Sequence, residues 1–130
     1  MNKLIALILS INLLLSPAKT FKQNRYTIYI PKEPNSIIIY YHSNGTLPHD
    51  DPQNPKRPFN SQEGIANLIY KKNSTSIVVV TYQYSEKLVK KVDKLIKQYN
   101  LKDVVISGWS AGGNNAIRAA ATLANKDRYI

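Results

Sequence analysis

One stretch of this sequence has the residue types and spacing for covalent catalysis: Gly108-Trp109-Ser110-Ala111-Gly112-Gly113. A serine hydroxyl attacks a carbonyl carbon efficiently only when it stands clear of its neighbours. It also needs a group to take its proton and donors to hold the oxyanion. The spacing G-x-S-x-G suits a sharp turn from a strand into a helix, with the serine at the top. Gly108 and Gly112 leave room for strand and helix to approach, and Gly113 with Ala116, Ala119 and Ala120 predicts a helix packed close to a sheet. A helix starting just behind Ser110 also favours the negative charge that develops during acyl transfer.

The other chemistry-bearing residues fit less well. His42-Ser43-Asn44-Gly45 follows an apolar run and reads either as a functional loop or as an ordinary Asn-Gly turn. His49-Asp50-Asp51, just before Pro52, has side chains that suit a divalent cation but reads as a turn, and no metal site is expected. The chain has no cysteine, which excludes disulfides, zinc-thiolate sites, a thiol nucleophile and a lipid-modified N-terminal cysteine. Both histidines precede Ser110, and the twenty residues after it hold one acid, Asp127, and no histidine.

The elements needed to position Ser110 can be read in order. Lys3, the apolar run Leu4 to Leu15 and the small residues of Ser16-Pro17-Ala18 form a secretory signal over residues 1–18. The protein is therefore expected to be secreted or extracytoplasmic, and membrane-anchored if the signal stays uncleaved. Arg25–Ile30 predicts a strand stopped by Pro31, and Ile37–Tyr41 a strand buried on both faces. The prolines at 48, 52, 55 and 58 break regular structure, Gln62–Tyr70 suits a short helix, and Ile77–Tyr82 suits another buried strand. Ser85–Asn100 is the clearest helix: Leu88, Val89, Val92, Leu95, Ile96 and Tyr99 form one stripe, with Lys87, Lys90, Lys91, Lys94 and Lys97 opposite. Val104–Ser107 completes the strands, and Ala111–Asn125 predicts a small-residue helix. Strands alternating with helices imply an α/β fold with a mostly parallel sheet and flanking helices.

In this context the sequence resembles the α/β-hydrolase family, and within it the secreted esterases and lipases. The segments Ile37–Tyr41, Ile77–Thr81 and Val104–Ser107 look like the family's third, fourth and fifth strands, with Gly108–Gly112 as the nucleophile elbow. The resemblance implies Ser110 as nucleophile and the Ala111 N–H as one oxyanion donor. Asn44 N–H would be the second, with Ser43 as the alternative. It implies a small-molecule or lipid ester as substrate and no cofactor. It also implies a triad acid and histidine after Ser110, which this chain lacks. Residues 19–130 are thus expected to form a partial domain, an incomplete α/β-hydrolase fold ending just after the elbow helix. Ester hydrolysis would need residues absent from the chain, whether it is a fragment, a relic or completed by a second polypeptide.

Charge supports a rival reading. The formal net charge is +10, and loss of Lys3 with the signal leaves +9. Such a protein suits an anionic cell-wall polymer or membrane surface, and a non-catalytic binding protein on a degenerate hydrolase scaffold is the alternative. Nothing in the motifs points to nucleic acid.

Overall fold

The computed structural model describes residues 16–43 and 61–124. Five strands form one sheet: β1 (Lys19–Lys22), β2 (Tyr26–Ile30), β3 (Ser36–Tyr41), β4 (Ser76–Thr81) and β5 (Asp103–Gly108). Three helices flank it: α1 (Gln62–Lys72), α2 (Glu86–Tyr99) and α3 (Ala111–Ala124). The strand order is β1-β2-β4-β3-β5. β3 runs parallel to both β4 and β5, whereas β2 is antiparallel to β4 and β1 to β2.

The expectation of a mostly parallel sheet is therefore corrected: the sheet is mixed. Direction follows from the connections. The link from β2 to β3 is too short to hold the crossover that returns a chain parallel to itself, so β3 reverses direction. The links from β3 to β4 and from β4 to β5 each carry a helix, and those strands come out parallel. No sequence pattern marks β1. Its polar, short sequence LysThrPheLys carries no burial signal, and it exists by pairing with β2.

Strand faces alternate strictly. Ile28, Ile30, Ile37, Ile39, Tyr41, Ile77 and Val79 face α2 and α3 in the larger core. Tyr29, Val78 and Val80 face α1, where Ala66 and Tyr70 cover them. Only β4 is buried along its whole length; β3 alternates between buried and half-buried, and β5 between half-buried and exposed. β5 is the outermost strand, and among the described residues nothing pairs with its outer edge. Val105 on β5 and Ile117 on α3 are 52% and 70% exposed.

The helix ends follow their cap residues. The Ser61 hydroxyl accepts from Gly64 N–H at 2.8 Å, and that of Ser85 from Leu88 N–H at 3.3 Å. Asn100 closes α2 in the left-handed region at φ 51°, with Leu101 N–H donating back to the Ile96 carbonyl at 3.0 Å. Among the described residues no helix is long and apolar enough to cross a membrane.

Candidate active site

β5 ends at Gly108 and α3 begins at Ala111, so the reversal is confined to Trp109 and Ser110. Ser110 takes it up at φ 57°, a left-handed conformation that a residue with a Cβ rarely adopts. The residue is exposed. This is the geometry of a strained turn holding a side chain out of the fold.

The glycines on either side are required by space. A Cβ on Gly108 would stand 2.3 Å from the Gly112 carbonyl oxygen, and one on Gly112 would stand 2.0 Å from that of Tyr41. Strand β5, the first turn of α3 and the end of β3 thus meet backbone to backbone. Gly113 differs: a Cβ there would meet nothing within 4 Å. Gly113 is therefore not needed for close packing, and Ala120 is exposed; the helix rests on Gly112, Ala116, Ala119 and Leu123.

Two hydrogen bonds fix the turn from within and one from outside. Gly112 N–H donates to the Trp109 carbonyl at 2.9 Å, and Gly113 N–H to that of Ser110 at 3.0 Å. Trp109 N–H donates to the Tyr41 carbonyl at 3.1 Å, tying the turn to β3. The Ala111 amide, first in the helix, has no helical acceptor, and none among the other described residues. It is thus placed to meet a ligand.

The segment after β3 begins beside this turn, since Tyr41 pairs in register with Gly108. His42 is buried there. Its Nδ1 lies 2.9 Å from the Ser43 carbonyl oxygen and its Nε2 lies 3.0 Å from Gln62 Oε1. Its ring stacks on Tyr82 at 5.7 Å, and its N–H donates to the Thr81 carbonyl. Each ring nitrogen thus faces a protein oxygen, one of which accepts from the ring N–H of the neutral imidazole, and His42 anchors the start of the loop. Asn44, the expected second oxyanion donor, lies outside the described residues, as do His49, Asp50, Asp51 and Asp127.

Gln62 is the contributor that sequence reasoning missed. Fully buried at the start of α1, it donates through Nε2 to the Gln23 carbonyl at 3.0 Å and to Thr27 Oγ1 at 3.1 Å. One amide therefore joins β2, α1 and the His42 loop. In the sequence Gln62 reads only as the first residue of a short helix. Trp109, 69% exposed, sets a large apolar surface next to Ser110. Burial pushes the Tyr41 phenol up to about 12, with neighbouring Tyr84 adding to the effect.

Compared with protein families, curated proteins and solved structures, the chain matches none.

Proposed function

We propose that this chain carries the nucleophile part of an exported serine hydrolase of the α/β-hydrolase type, acting on carboxylic esters. The observation that carries the reading is Ser110 at φ 57° between β5 and α3, next to an Ala111 amide without an acceptor. The order of the elements agrees with it: the segments that resemble the family's third, fourth and fifth strands are adjacent, parallel neighbours in the sheet.

In this reading Ser110 Oγ attacks the ester carbonyl carbon while a general base takes its proton. The carbonyl oxygen, now an alkoxide, accepts from Ala111 N–H and from an amide of the loop after β3, at Asn44 or Ser43. Collapse releases the alcohol, which takes up the proton, and leaves an acyl-enzyme that water hydrolyses by the same path. Trp109 offers apolar surface to the acyl part. His42 has other partners and no histidine follows Ser110 in this chain, so no base is assigned among the described residues.

A serine-directed fluorophosphonate applied to the native secreted fraction tests the proposal. Label on the peptide containing Ser110, lost in Ser110→Ala, supports it, and the mass of the labelled species shows whether the base lies on the same polypeptide. Folded protein that never takes label at Ser110 overturns it.

A further inference from the structure

The lysine row of α2 does not stand on a flat solvated face. A cavity of about 860 Å³ runs along it, in the size range of ligand sites. Lys87, Lys90, Lys91, Lys94 and Lys97 line it on the helix side, and Arg25 lines it at the start of β2. The only carboxylate in the lining is that of Asp93, which is buried and paired with Lys97 at 3.3 Å. Six cations and one paired acid leave a strongly positive concave surface, which concentrates anions by field focusing.

We propose that this groove binds a linear polyanion carrying phosphate groups, at a site separate from Ser110 and independent of its chemistry. The row from Lys87 to Lys97 spans about 15 Å of helix. A lone anion would leave most of those charges unpaired, whereas a chain of anions pairs them in sequence. Lysine meets phosphate as a point charge without demanding planar geometry, which suits a flexible chain.

Two features narrow the ligand further. The two aromatic rings that line the groove, Tyr26 and Tyr84, each already carry one of the protein's own cations. Lys91 Nζ lies 4.5 Å from the Phe21 ring centre and 5.4 Å from that of Tyr26, while the Arg118 guanidinium lies 4.1 Å from that of Tyr84. One face of each ring is thus already occupied, which leaves less stacking surface for nucleobases. A bilayer fits poorly as well: adsorbing helices place large apolar residues beside their basic ones, but the apolar stripe of α2 is buried on the sheet.

The groove lies at the same end of the strands as the turn that carries Ser110. Tyr26, Thr81, Tyr41 and Gly108 are paired in one row across β2, β4, β3 and β5. Three strand spacings put Tyr26 about 14 Å from Gly108.

The test uses the full chain, medium-chain inorganic polyphosphate and isothermal titration calorimetry at several salt concentrations. Lys87→Gln/Lys90→Gln/Lys94→Gln removes three exposed charges from the groove; Lys32→Gln/Lys71→Gln/Lys72→Gln removes three exposed charges elsewhere. Glutamine keeps helix propensity close to that of lysine, and circular dichroism checks that both variants fold. The expected result is binding by the native chain that weakens as salt rises. The groove variant should bind about tenfold or more weakly, with a shallower salt dependence, and the control variant should bind almost as the native chain does. The proposal is overturned if the native chain does not bind, or if both variants weaken equally. Equal or tighter binding of oligothymidylate of matched charge overturns it too, as does capture by anionic lipid vesicles without binding to polyphosphate.

Discussion

Helices α2 and α3 have the same length, 14 residues, and share one core on one face of the sheet, yet they are built on opposite principles. α2 stabilises itself. It has a serine cap, an acid in its first turn, a left-handed Asn100 at its end and a stripe of Leu, Val and Ile pressed into the core. α3 has no such cap; where one would stand, Ser110 is strained at φ 57°. Its first turn approaches β3 and β5 this closely only because Gly108 and Gly112 have no side chains. One helix supplies stability through bulk; the other gives some up so that a hydroxyl is held at a fixed place. Active sites commonly carry local strain that the surrounding packing must offset.

This contrast can be broken most directly at Gly112. Gly112→Ala places a Cβ 2.0 Å from a backbone oxygen of β3, where no flexible side chain can yield. Destabilisation of about 3 kcal/mol or more is expected in urea titration. Gly113→Ala, one residue on in open space, should instead stabilise the helix by about 0.5–1 kcal/mol. If the two behave alike, close approach is not what the elbow requires. On α2 the matching change is Ile96→Ala, which empties a buried site and should cost about 2–5 kcal/mol. That loss should leave any labelling of Ser110 intact under folding conditions, whereas the Gly112 change should abolish it.

Tyr41 sharpens the comparison through pH. Its folded-state pKa, about 12, stands above the ordinary phenol value of 10.0, so the folded state keeps a proton that the unfolded chain loses. Its contribution is complete below about pH 10 and is lost as pH rises toward 12, roughly 2–3 kcal/mol for this one group. Alkaline unfolding followed by tyrosinate absorbance should therefore begin later in Tyr41→Phe than in the native chain. The smallest effect concerns the strain itself. Ser110→Gly should raise stability by about 1 kcal/mol while abolishing fluorophosphonate labelling. A destabilised Ser110→Gly would mean that the left-handed turn is not strained.

Much of this architecture was legible residue by residue. The period of α2, its Ser85 cap, the β-branched cores of β3 and β4 and the strand–turn–helix around Ser110 all rest on neighbours close in the chain. Edge strand β1 was not legible, because Lys19–Lys22 buries little and owes its form to its partner. The exposed side of β5 was also hidden, since ValValIle reads the same in the centre of a sheet as at its edge. Gln62 gave no sign of its role: a buried amide that reaches His42, Gln23 and Thr27 is defined by residues 20 to 39 positions away.

The sequence by itself determined most local pieces: the strands other than β1, the three helices, and that Gly108 to Gly112 must turn sharply with Ser110 at its top. Only the tertiary structure decided that β2 runs against β4, that Tyr41 stands in register with Gly108 so that its carbonyl receives Trp109, and that His42 is an anchor set against Ser43, Gln62 and Tyr82. It alone also gathered Arg25 and five lysines around one cavity. The physical reason is range. Turn sterics and side-chain periodicity act over a few residues, whereas strand direction, register and the sharing of a buried polar group depend on which distant segments the hydrophobic core brings together.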